Sequence, residues 1–286
     1  MIKVLVTGGK GQLASCFKDL ENKYKDLNII YTDHKELDIC NLSQIKTFFK
    51  SNYKIDYCIN CAAYTDVDRA ESEVDKAFEI NAQGPKNLAL ICHKFEAVLV
   101  HISTDFVFDG EKTEPYTEAD IPNPVSVYGA SKLKGEVEIQ KIIEKYFIFR
   151  TSWLYSEHGN NFTKTMLRLA EIQDEINVVS DQLGSPTYAG DLAAVILKII
   201  NSKDINFGLY HYSNKGAASW FDFAKAIFEA SNLKTKIIPI KTEDFVVAAK
   251  RPFFSVMDVT KIKRELKIET LNWNERLLKA NILTSK

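Results

Sequence analysis

Little in this chain of 286 residues points toward a membrane, a nucleic acid or an oxidising compartment. Lys and Arg number 37 against 38 Asp and Glu, a formal net charge of -1, which gives no broad electrostatic basis for holding nucleic acid or an anionic membrane. No apolar run approaches the roughly 20 residues needed to cross a bilayer. The opening "MIKVLVTGG" has one Lys and only a short apolar run before Gly8, so it reads as a first strand and not as a signal peptide. No internal repeat and no low-complexity linker interrupts the chain.

Cysteine is scarce and odd in number, with Cys16, Cys40, Cys58, Cys61 and Cys92 all before residue 100. Cys58 and Cys61 form a C-x-x-C, a spacing used in metal and redox chemistry. They lie within the apolar "DYCINCAA", without a second pair or a neighbouring His, and are expected to be buried strand and loop thiols. That expectation implies no metal and a reducing, cytoplasmic setting.

What is present is an ordinary globular composition, 45% hydrophobic and 26% charged. In the first half the apolar runs "IKVLV", "NIIYT", "DYCIN", "AVLVHIS" and "YFIFR" read as strands. Helical spacing fills the stretches between them: "GQLASCFKDLENKY", "LSQIKTFFKSN", "ESEVDKAFEINAQGPKNLALICHKF" and "SKLKGEVEIQKIIEK". This alternation predicts an α/β fold with a Rossmann-type, doubly wound parallel sheet over residues 1–150. Beyond residue 150, helical segments such as "AGDLAAVILKII" remain while strands shorten, and Pro186, Pro239 and Pro252 punctuate the chain. Residues 151–286 are therefore expected to form mainly a smaller α/β lobe, interleaved with the first.

"VLVTGGKGQLA" joins the first strand to the first helix, with Gly8, Gly11 and Ala14 in a G-x-x-G-x-x-G/A pattern. Such a loop lets backbone approach a pyrophosphate at a helix N-terminus, and it makes Gly8, Gly11, Gln12 and Leu13 candidate cofactor contacts. Asp33, at the end of the second strand, stands 25 residues beyond Gly8, where an acid commonly bonds the adenosine ribose. It would repel a 2′-phosphate, whereas His34 and Lys35 would attract one, so NADH and NADPH both stay open as cofactor. Asp38 and Ile39 are candidates to flank the adenine, and small Ala62 and Ala63 would let the third strand's end pass close to the cofactor.

In "PNPVSVYGASKLKGE", Tyr128 and Lys132 lie four apart and share one helix face. A nicotinamide cofactor exchanges hydride at a carbonyl carbon, and a proton must move at the oxygen. Tyrosine, with an ordinary pKa near 10, is expected to be made usable by the adjacent ammonium. Thr104 and Ser103, in "VHISTDFVFDG", supply hydroxyls at the end of the fourth strand. Lys134 and Glu136 read as surface charges, His101 and His158 lack a partner pattern, and "IKRELKIE" reads as a solvated helix face.

These motifs together resemble the extended short-chain dehydrogenases/reductases. "NCAAYTDVDRAE", "STDFVFDG", "PYTEAD", "NPVSVYGASKLKGE", "FRTSWLYSEHGNNFTKTMLRLA", "DQLGSPTYAGDLA" and "RPFFSVMD" are similar, in order, to segments of the dTDP-4-dehydrorhamnose reductase family. The resemblance implies reduction of the C4 ketone of a dTDP-linked 4-keto-6-deoxy sugar. It implies Tyr128 as proton donor, Lys132 as its partner and a nicotinamide-ribose contact, and Thr104 on the substrate oxygen. Thr65, Val67, Trp153, Asn161 and Arg251 are implied around the sugar nucleotide, with Asn81 supporting them from the preceding helix. Trp153 also fits a core role and Arg251 a surface one.

Phe106 departs from the pattern, since the family usually has Tyr there and so gains a hydroxyl on the cofactor side. A homodimer is compatible with the resemblance, but the acids that hold an interface metal in some members do not map onto this chain. Two other readings stay open. One is a non-catalytic subunit like the methionine adenosyltransferase β-subunit, and the other is a reductase of a different 4-keto sugar nucleotide, such as one making 6-deoxy-talose.

Overall fold

The computed structural model describes residues 1–202, 206–280 and 282. Its sheet is built from β1 (Ile2–Thr7), β2 (Leu27–Thr32), β3 (Tyr57–Asn60), β4 (Val98–Thr104), β5 (Tyr146–Thr151) and β10 (Gly208–His211). All neighbours are parallel, in the order β10-β5-β4-β3-β1-β2. Strands buried on both faces need apolar side chains throughout, which is why these runs read as continuous and not alternating. The chain leaves β1 for β2 on one side and returns to β3 on the other. The crevice beyond the C-terminal ends of β1 and β3 is thus a switch point, where ligands gather in such sheets.

Two layers of helices seal the faces. On one, α1 (Gln12–Leu20) packs against α8 (Ala189–Ile200), burying Phe17, Leu192 and Ile196 against Val4, Val6 and Phe149. On the other, α2 (Leu42–Ser51), α5 (Gly84–Lys94) and α6 (Val127–Ile142) cover Leu5, Cys58, Leu99 and Ile148. The sheet layer thus draws on chain beyond residue 200, through β10. All five cysteines are free, and Cys16, Cys58 and Cys92 are buried.

The stretch 71–95 is not one helix. After α3 (Val67–Ala70) come α4 (Val74–Phe78), a π turn over Glu79–Gln83, and α5. Pro85 lacks a backbone donor and sits in the first turn of α5, where it is tolerated. A π turn within a helix often marks a functional position, and Asn81 lies in this one.

The remaining elements pack around a separate core: β6 (Leu154–Tyr155), α7 (Phe162–Ala170), β7 (Glu175–Val179), β8 (Leu183–Gly184), β9 (Thr187–Tyr188), β11 (Ala218–Ser219), α9 (Trp220–Ala230), β12 (Lys236–Ile240) and α11 (Trp273–Leu278). Tyr155, Met166, Phe223, Ile227 and Leu277 fill its centre. A capping box closes the start of α9, where Ser219 and Asp222 satisfy each other's backbone N–H. α10 (Thr260–Leu266) instead lies against the sheet through Ile262 and ends at Lys267, whose φ of +55° breaks the helix. Among the described residues no helix is long and apolar enough to cross a membrane.

Candidate active site

The loop after β1 is shaped by what its glycines exclude. Gly8 has φ +67°, and a Cβ there would stand 2.7 Å from Ala62 N and 2.8 Å from Cys61 C. The loop thereby lies directly on the end of β3. Gly11 N donates to Gly8 O at 2.8 Å, closing the turn, and Gly11 then leads into α1 without a side-chain cap or an acid in the first turn. The helix start offers N–H groups and partial positive charge, so the crevice fits a pyrophosphate. Leu13 is itself a core side chain, so only its backbone faces that crevice.

At the end of β2, Asp33 is already engaged. Its carboxylate accepts from Lys35 N (2.8 Å) and Glu36 N (3.2 Å) and pairs with the Lys10 ammonium. The Lys10 contact holds its pKa below the usual carboxylate range. Lys10 lies inside the glycine loop, where no spacing pattern marks it. It offsets the charge by which Asp33 would repel a 2′-phosphate. Asp38 caps its own turn through Cys40 N at 2.9 Å. Ile39 is buried in the core against Gly84, where a Cβ would meet Ile39 Cδ1 at 2.5 Å.

Three side chains converge where β4 ends. Thr104 Oγ1 donates to Asp105 Oδ1 (3.1 Å) and accepts from Phe106 N (3.2 Å). Tyr128, in the first turn of α6, brings its phenol near enough to that same Thr104 hydroxyl for the two to interact. Ser126 Oγ accepts from Gly129 N at 3.2 Å and so starts the helix where Tyr128 needs it. A Cβ on Gly129 would lie 2.1 Å from Phe106 O, and one on Gly135 would lie 2.2 Å from Asn81 O. Only glycine lets α6 come this close to both backbones. Phe106 meets the Tyr128 ring edge-on, with centroids 5.5 Å apart.

The electrostatics differ from the simple expectation. Burial raises the Tyr128 phenol to about 12, and the nearby Thr104 hydroxyl only partly opposes it. Lys132 does not lower it, because its Nζ is aimed at Ile102 O (2.6 Å) and His101 Nε2 (3.4 Å). Burial brings Lys132 down to about 8. Asp105 is 2% exposed, its Oδ2 has no partner, and burial raises it to about 6.

Glu136 is not a surface charge. It is 1% exposed, accepts from Ser103 Oγ, and takes Arg150 Nη2 at 2.6 Å and Nε at 2.9 Å. This buried pair ties α6 to β4 and β5 and so fixes the height of Tyr128 above the sheet. The sequence held the signal: residues 128, 132 and 136 repeat every four and share one face, and Arg150 interrupts an apolar strand.

Asn81 links the π turn to the loop after β3 by accepting from Tyr64 N (2.8 Å) and donating to Tyr64 O (3.0 Å). It also donates to Ser131 Oγ on α6 at 3.0 Å. That loop carries Ala62, Ala63 and exposed Thr65, with Val67 opening α3. Arg251 reaches the same place and grips Asp68 with two hydrogen bonds of 2.7 and 3.1 Å. Trp153 lies in the second core, on Gly184 and stacked on Trp220 at 3.4 Å between centroids. Its φ of +47° is strained for a bulky residue, a feature common at binding sites. Asn161 is occupied elsewhere: it caps α7 through Lys164 N and donates to Gln12 Oε1 at 2.9 Å, joining the second lobe to the glycine loop.

Comparison with known proteins follows the same outline. Residues 2–283 match the family model described as RmlD substrate binding domain. A dTDP-4-dehydrorhamnose reductase from Aggregatibacter actinomycetemcomitans is 40% identical over 97% of each chain. A solved dTDP-4-dehydrorhamnose reductase from Clostridium acetobutylicum is 44% identical, with a TM-score of 0.94 over 99% of each chain. Another from Bacillus anthracis, solved in complex with NADP, is 42% identical, with a TM-score of 0.93 over the whole of both chains.

Proposed function

The chain belongs to the RmlD substrate binding domain family, and on that premise we propose that it is a reductase of a dTDP-linked 4-keto sugar. The reaction converts dTDP-4-dehydro-β-L-rhamnose (dTDP-6-deoxy-L-lyxo-4-hexulose) to dTDP-L-rhamnose, with NADPH or NADH as cofactor. The full-length relatives carry the substrate assignment. The observation that carries the chemistry is Tyr128, its phenol kept protonated by burial and set near the Thr104 hydroxyl.

The Gly8–Leu13 loop would hold the cofactor's pyrophosphate, and Asp33 and Lys10 would hold its adenosine ribose end. When bound, the reduced nicotinamide supplies the hydride. Thr104 turns its hydroxyl from Asp105 to the sugar oxygen and holds the carbonyl. Tyr128 gives its proton to that oxygen as negative charge develops there, a step in which a positioned acid contributes roughly 10²–10⁴-fold. Lys132, with a pKa near the working pH, restores the phenol.

Thr65, Val67 and Trp153 line the sugar pocket between the sheet and the 151–286 lobe. Arg251 exchanges Asp68 for the substrate diphosphate, because a planar fork suits either oxyanion. A cytoplasmic location, in keeping with the free thiols, and a homodimer belong to the same reading.

The test is oxidation of NADPH and NADH in the presence of the dTDP-4-keto-L-sugar, with the product identified by NMR. Turnover to dTDP-L-rhamnose supports the assignment. The C4 epimer would identify a different reductase, and no turnover with either cofactor would end the enzyme reading.

A further inference from the structure

Beneath Lys132 runs a row of buried polar side chains that the reaction above leaves unused. Thr7 Oγ1 donates to Asn60 Oδ1 at 2.7 Å, Asn60 Nδ2 lies 3.1 Å from His101 Nδ1, and His101 Nε2 lies 3.4 Å from Lys132 Nζ. The strands create the row: Thr7 is in register with Asn60, and Asn60 with His101. None of the four is more than 2% exposed. Buried polar groups this closely set constrain one another's protons.

The orientation can be worked out from one end. Ala62 N donates to Asn60 Oδ1 at 3.2 Å, so the amide oxygen faces Ala62 and the amide nitrogen faces His101. That nitrogen only donates, so His101 Nδ1 must carry a lone pair. Burial and the Lys132 charge push the His101 pKa well below its usual value, so the ring is neutral. Its one N–H is therefore on Nε2, facing Lys132. Against an ammonium this contact sets donor against donor. Against a neutral amine it is a hydrogen bond.

We propose that His101 is a positioning residue for Lys132: held by Asn60 with its proton on Nε2, it stabilises the neutral amine left when Lys132 gives up a proton. The proposal rests on the reductase reading for its place in turnover, though the tautomer itself does not. Tyr128 passes its proton to the sugar oxygen, the phenolate takes one from the Lys132 ammonium, and solvent later reprotonates the amine. His101 makes the middle transfer easier. The other groups facing Lys132 oppose it, since Glu136 on α6 and Cys61 after β3 both favour the ammonium, while burial works in the same direction as His101.

The test is long-range 1H–15N NMR of the imidazoles in the full chain, with the Lys132 titration followed through its 13Cε shift. The wild type is expected to show His101 as the neutral Nε2–H form near pH 7. An Nδ1–H form or an imidazolium there overturns the proposal. Asn60→Asp gives Nδ1 an acceptor, and is expected to move the proton to Nδ1 and raise the Lys132 titration by roughly one pH unit. The added carboxylate also acts through its charge, so His101→Phe is made in the same background. The shift is expected to fall by more than half in the double variant, and an undiminished shift overturns the proposal. If the wild type turns over no sugar, the reductase reading fails while these resonances still decide the tautomer.

Discussion

Asp105 carries a burial penalty in the site, and replacing it with Asn measures that cost. Its pKa rises from 3.8 to about 6 because burial disfavours the carboxylate. A carboxyl raised in this way holds its proton more tightly folded than unfolded. Its contribution is therefore intact below about pH 4, is lost as pH climbs toward 6, and leaves the full penalty standing at neutral pH. At 1.36 kcal/mol per unit, a rise of roughly two units corresponds to about 3 kcal/mol. Asp105→Asn keeps an oxygen to accept from Thr104 and cannot ionise. Any packing offset is the same at every pH and cancels in the comparison. Urea unfolding of both proteins between about pH 3.5 and 7.5 should show the variant gaining about 3 kcal/mol relative to wild type over that range. A difference that stays flat to within about 1 kcal/mol would refute a buried carboxyl held above its ordinary pKa beside Thr104.

Three further outcomes follow from the geometry. Gly8→Ala places a Cβ 2.7 Å from Ala62 N at φ +67°, and should cost about 1–3 kcal/mol in urea unfolding and weaken NADPH binding in a fluorescence titration. Glu136→Gln leaves the Arg150 guanidinium buried without its counter-charge, and unfolding should show a loss of about 3–5 kcal/mol. Lys132 must be protonated to restore the phenol, so kcat/KM should fall as pH rises through about 8. A profile flat to pH 10 would remove Lys132 from the proton path.

The fold and the shape of the glycine loop are legible because local chemistry decides them. Buried parallel strands must be apolar on both faces, and Gly8 answers to a turn and a close approach that no other residue permits. Tyr128 and Lys132 were legible through helical spacing, and Ser126 through its cap. Partners contributed by other strands were not. The charge of Glu136 suggested solvent, yet Arg150 comes from β5 and Ser103 from β4 to receive it. His101 showed no partner pattern because Asn60 precedes it by 41 residues and meets it only through strand register. The aim of the Lys132 Nζ at Ile102 O is hidden for the same reason, since four-residue spacing gives a shared face but not where Nζ points. The engagement of Arg251 by Asp68 and of Asn161 by Gln12 likewise depends on tertiary approach.

In the proposed reaction Tyr128 delivers the proton while hydride reaches C4 of the sugar. Tyr128→Phe keeps the ring and its edge contact with Phe106 but removes the acid. Single-turnover oxidation of bound NADPH by the dTDP-4-keto-L-sugar should slow by roughly 10²–10⁴-fold with cofactor affinity nearly unchanged. A single-turnover rate within about threefold of wild type would rule out Tyr128 as the proton donor.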